Sequence, residues 1–106
     1  MAKFLLEVSY TAQGAQGLLK DGGTKRRAVA SAAIAGVGGT VEAFYYAFGE
    51  NDVIVIADVP DNQSAVALSL ALAASGAVTS KTTVLLSPED IDAAVRKSLS
   101  YTPPGR

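Results

Sequence analysis

Cysteine and histidine are both absent from the 106 residues. Without cysteine there is no disulfide, thiolate nucleophile, zinc finger or iron–sulfur ligation. Without histidine, imidazole metal sites, histidine-ligated haem, Ser-His-Asp triads and histidine acid/base steps are excluded as well. Neither sign of charge dominates: nine Lys/Arg stand against ten Asp/Glu, a net charge of −1. That balance argues against a nucleic-acid binder and against a polybasic membrane-surface protein. Long apolar runs are missing too. The most apolar helical stretch, Ala65 to Ala74, is interrupted by Ser69 and is about half a membrane span, so it reads as a buried helix. Met1-Ala2-Lys3 leads at once into a strand-like segment without the pattern of a signal peptide, and a cytoplasmic location is expected.

What is present is enough for one core. Hydrophobic residues make up 49% of the chain, and a compact monomer of this mass would expose roughly 5,500 Å². A single domain is expected over 1–100, with an extended or disordered tail, Tyr101 to Arg106, built around Pro103-Pro104-Gly105.

Hydrophobic periodicity lays out the elements. Lys3 to Tyr10 alternates, with Phe4, Leu6, Val8 and Tyr10 on one face and Lys3, Leu5, Glu7 and Ser9 on the other, which predicts a strand. Thr11 caps a weak helix to Lys20 that carries Gly14 and Gly17, and Asp21-Gly22-Gly23 breaks it. Thr24 caps a second helix to Gly36, with Val29, Ala32, Ala33 and Gly36 as its inner stripe and Ile34 alongside. Strands follow at Thr40 to Phe48 and Val53 to Val59, joined by a hairpin over Gly49-Glu50-Asn51-Asp52. Asp61 caps a helix to Ser75, and Ala77 to Leu86 is a Thr/Val-rich strand. Ser87 caps a last helix with Pro88 in its first turn and Ile91, Ala94, Val95 and Leu99 as its apolar stripe.

This order is the βαββαβ of an α+β ferredoxin-like fold with an antiparallel four-stranded sheet, plus an extra C-terminal helix. Helices cover one sheet face. The other is not polar: in the third strand Val53, Val55, Ala57 and Val59 alternate with Ile54, Ile56 and Asp58, and in the second Phe44, Tyr46 and Phe48 alternate with Val41, Ala43, Tyr45 and Ala47. An apolar patch of this kind marks an interface, and a second copy, sheet against sheet, is the expected cover. The C-terminal helix folded back over the sheet is the alternative.

Several segments resemble a known family. Phe4-Leu5-Leu6-Glu7-Val8-Ser9-Tyr10 with Thr11-Ala12-Gln13-Gly14, the stretch from Gly38 to Ile56, and Pro60-Asp61-Asn62 with its Ala/Leu helix are similar to GYD-domain proteins over about residues 3 to 91. The Gly-x-Tyr-Asp type signature falls at Gly49 to Asp52, with Asn51 where tyrosine is expected. The resemblance implies a dimeric α/β barrel of ferredoxin-like protomers and no established activity. The wider superfamily holds cofactor-free monooxygenases, isomerases and non-catalytic ligand binders, a fold-level analogy only.

Three groups of residues are candidate sites. Thr24, Lys25, Arg26 and Arg27 put cations beside the free N–H groups of a helix start, an anion-binding arrangement or a solvated basic turn. Glu7, Tyr10, Tyr45 and Tyr46 supply a carboxylate and phenols for acid/base work in an apolar cleft, or a structural ion pair, with Lys3 or Lys81 facing Glu7, and ordinary aromatic packing. Gly49, Glu50, Asn51 and Asp52 shape a site or simply close a turn, with Gly49 supplying a positive φ and Asp52 binding nearby N–H groups. No metal or cofactor is expected. The readings that stand are a homo-oligomeric small-molecule-binding or accessory protein, a cofactor-free enzyme of monooxygenase or isomerase type on an apolar molecule, and a structural assembly protein. Expected partners are the chain itself and a small molecule or anion.

Overall fold

The computed structural model describes residues 2–105, so Met1 and Arg106, the outer ends of the predicted domain and tail, lie outside it. Eight elements follow one another: β1 (Ala2–Tyr10), α1 (Ala12–Asp21), α2 (Gly23–Gly36), β2 (Thr40–Tyr46), β3 (Val53–Val59), α3 (Asn62–Ala74), β4 (Val78–Leu85) and α4 (Pro88–Val95). The strands form one antiparallel sheet in the order β2-β3-β1-β4. This is the α+β, ferredoxin-like arrangement with an added helix.

Alternation sets the two faces. Phe4, Leu6 and Val8 of β1 and Val53, Val55, Ala57 and Val59 of β3 are buried under the helices, where Ile34, Ala65 and Leu68 meet them. Local caps start the helices as the sequence predicts. The Thr11 hydroxyl accepts from the Gly14 N–H, the Asp61 carboxylate from the Ser64 N–H, and Ser87 and Asp90 close a reciprocal capping box.

Four expectations are corrected. Thr24 is not a cap: Gly22, at φ 81°, alone separates α1 from α2, and no side chain caps α2. Of the expected inner stripe of α2, Val29, Ala32, Ala33 and Gly36, only Ala33 looks toward the sheet. Val29 and Ala32 are exposed, and the buried Ile34 lies with the half-buried Arg26, Ala30 and Val37, because Ile34 has the larger area to remove from water. The run from Ala65 to Ala74 is buried on one side only, through Ala65 and Leu68, while Val66 and Leu70 are exposed. Finally, β2 ends at Tyr46, and a bulge at Glu42 moves Val41 opposite Ala57 on the helix face, so Val41 does not share a face with Ala43 and Tyr45.

α4 does not fold back across the sheet. It ends at Val95, short of Leu99, and every residue from Leu86 to Gly105 is exposed, including Val95 at 75% and Leu99 at 86%. This arm lifts the radius of gyration to 17.1 Å, against about 13 Å for a compact chain of this length.

Candidate functional site

Two regions gather the chemistry, one on each face of the sheet. On the helix side, α2 packs on β2, and α3 packs on β3 and β4. Both helices present small residues where they look across the central strands, chiefly Ala30 and Ala33 from α2 and Ala71 from α3. Small side chains leave the space between the helices unfilled, and a cleft of about 200 Å³ remains over Leu6, Val53 and Val55. Its wall is apolar, with the Phe44 ring among aliphatic side chains, except where Tyr10 and Arg26 stand. Burial first, and then the neighbouring Tyr46 hydroxyl, push the Tyr10 phenol above its ordinary range, with Arg26 pulling the other way. Tyr46 donates to the Gly23 carbonyl at 2.9 Å, makes an edge-on contact with Phe44 at 5.4 Å and stacks on Phe48 at 6.1 Å. The aromatics of β2 therefore tie the α2 start to the sheet beside the cleft.

The basic turn is partly spoken for. The Asp21 carboxylate lies 3.5 Å from Lys25 Nζ and 3.6 Å from Arg26 Nη1. Asp21 ends α1 and Lys25 lies in the first turn of α2, so this counter-ion reaches across the break at Gly22. Thr24 and Arg27 are exposed, and Arg26 is the cation that lines the cleft.

On the open face, Glu7 is only 21% exposed at its side chain. Its carboxylate accepts from Asn51 Nδ2 at 2.8 Å and stands 4.0 Å from Lys81 Nζ. Ser9 donates to Asn51 Oδ1 at 3.4 Å. Lys3 turns to Glu42 and to Asp58, the latter at 3.5 Å. Between these polar groups run Leu5, Ile54, Ile56, Ala43 and Tyr45, and among the described residues no helix packs closely on that face. The acid/base candidates are thus divided. Tyr10 and Tyr46 lie on the helix side, while Glu7 and Tyr45 lie on the open face with Ile54 between them in the register.

The hairpin 47–52 joins the two regions. The β1–β3 ladder stops at Val8 opposite Val53. Just beyond it, the Asp52 N–H donates to the Val8 carbonyl at 2.9 Å, and the Asp52 carboxylate takes the Tyr10 N–H at 2.7 Å. Phe48, not Gly49, takes the positive φ, at 52°. Glu50 is exposed and Asn51 folds down over β1. Asp52→Ala should leave the Tyr10 N–H without its acceptor and cost about 1–3 kcal/mol. That is a fall in Tm of roughly 4–8 °C per kcal/mol. Glu50→Ala should leave Tm where it is, and differential scanning calorimetry of both variants checks the pair.

Sequence reasoning missed Asn51 as a partner of Glu7, and it expected an apolar cleft beside the tyrosines without the helix alanines that open it. The first depends on strand pairing across 44 positions, and the second on small residues contributed by two separate helices. Among the described residues there is no cluster of three or more metal-ligating side chains, and no helix is long and apolar enough to cross a membrane.

A helix layer on an antiparallel sheet, with a side cleft and an uncovered apolar face, defines a ferredoxin-like α+β protein. The family model described as GYD domain matches residues 4–95, and the chain belongs to that family. No curated protein and no solved structure matches it.

Proposed function

We propose that the protein is a cytoplasmic, homo-oligomeric small-molecule binder, with the ligand in the cleft between α2 and α3 and a second copy covering the open sheet face. The cleft carries the reading. An apolar hollow of about 200 Å³ with a tyrosine and an arginine in its wall has the composition of a ligand site, an apolar body with a few placed polar groups. An engineered apolar cavity of about 150 Å³ already holds benzene. The second copy is supported by the open face itself, where Leu5, Ala43, Ile54 and Ile56 adjoin one another across three strands, an apolar patch of the kind that marks an interface.

Toluene tests the cleft. Titrated into the protein and followed by methyl NMR, it should shift Leu6, Val55 and Leu68 selectively. Ala30→Leu, which fills the hollow from α2, should abolish those shifts with the fold intact. Shifts spread over the exposed leucines, or unchanged by Ala30→Leu, would sink the reading.

A further inference from the structure

We propose that the cleft selects a small monocarboxylate whose apolar body is the size of one aromatic ring, with its carboxylate held by the Arg26 guanidinium and the Tyr10 hydroxyl. This rests on the reading of the cleft as a ligand site. Three observations specify the class. The hollow is lined by Leu6, Val53, Val55 and Leu68 along its length, so the buried part of the ligand is apolar, and its volume fits a body slightly larger than benzene. Its polar part holds one cation and one phenol, both donors. Arg26 carries only donors, and the raised pKa of Tyr10 keeps its O–H protonated well past neutrality. A ligand group that meets the guanidinium must accept hydrogen bonds, and the Tyr10 O–H can donate to the same group.

The charge balance supplies the third observation. Lys25 and Arg26 share one acid, Asp21, whose contacts at 3.5 and 3.6 Å are longer than charge-assisted hydrogen bonds. Arg26 thus keeps most of its fork unpaired while half-buried beside apolar walls. The planar guanidinium matches a carboxylate in two parallel contacts, which a lysine at this place would not. An inorganic anion would use the polar part and leave the apolar wall facing water.

The experiment compares phenylacetate with its neutral isostere phenylacetamide and with toluene, by calorimetry and methyl NMR on the full chain. Phenylacetate should bind about tenfold or more tightly than phenylacetamide, as expected for a hydrogen bond to a charged group. Arg26→Gln should remove that preference and leave toluene binding unchanged, with Arg26→Lys restoring part of it. Tyr10→Phe should reduce the preference by a smaller factor and provides a second variant should Arg26→Gln fold poorly. Equal affinity for the acid and the amide, or a preference that survives Arg26→Gln, overturns the proposal while toluene binding leaves the cleft reading standing. If toluene does not bind either, both fall.

Discussion

Ile56→Asp should convert the proposed dimer to a monomer at micromolar concentration. Ile56 lies at the middle of the open face, paired with Leu5 of β1 and Ala43 of β2. In an isolated protomer an aspartate there still reaches water, so the substitution weakens the strand by no more than about 1 kcal/mol. In a sheet-to-sheet dimer the same carboxylate is removed from water on both copies, among Leu5, Ala43 and Ile54. The desolvation penalty is then several kcal/mol per ion. Two such penalties weaken association by well over a hundredfold. Sedimentation velocity should show the shift from dimer to monomer, with circular dichroism unchanged. A wild-type chain that sediments as a monomer at the same concentration would refute the second copy. If it is dimeric, its Tm should also rise with protein concentration, since association stabilises only the folded chain.

Gly14→Ala and Gly17→Ala should move stability in opposite directions, although both replace a glycine inside α1. Alanine is the better helix former by about 1 kcal/mol. At Gly17 nothing stands near the added methyl, and that gain should appear as a higher Tm. At Gly14 the methyl would collide with the Ala77 carbonyl and lie 2.9 Å from the Tyr10 ring. The helix start cannot step aside. The Thr11 N–H donates to the Ala77 carbonyl at 3.0 Å, and the Thr11 hydroxyl donates to the Gly76 carbonyl at 2.8 Å, pinning it to the α3–β4 connection. Overpacking of this kind costs about 1–3 kcal/mol or more, which outweighs the propensity gain. Thermal unfolding of the two variants beside the wild type decides it. A Gly14→Ala protein as stable as Gly17→Ala would show that α1 is free to shift.

Gly14 also shows where the sequence was readable and where it was not. As a residue within a helix it looks only like a weakness, because Ala77, the atom group that requires it, lies far away in the chain. Features set by neighbours a few positions apart were legible. The alternation of Phe4, Leu6 and Val8, the apolar third strand, and the caps Thr11, Asp61 and Ser87 all appear where local pattern places them. Features set by register were not. The bulge at Glu42 turns Val41 to the helix side without any sequence mark, and Asn51 meets Glu7 only because β1 and β3 pair. The cleft is harder still to foresee, since it is made of volume that Ala30, Ala33 and Ala71 fail to fill. The cation that enters it, Arg26, was visible as charge, but its direction was not.

The place of β1 in the sheet has a consequence for how the chain is made. Of the four strands of the sheet β1 is made first, yet its neighbours are β3 and β4, with Lys3 paired to Asp58 on one side and to Leu85 on the other. One of its edges therefore stays open until β3 has been made and the other until β4 has been made. Pairings that span so much sequence are slow to form, and an unpaired strand carrying Phe4, Leu5, Leu6 and Val8 is a template for association with other nascent chains. Lys3 and Glu7, which flank Leu5 on the face opposite Phe4, Leu6 and Val8, keep charge on that strand during the wait.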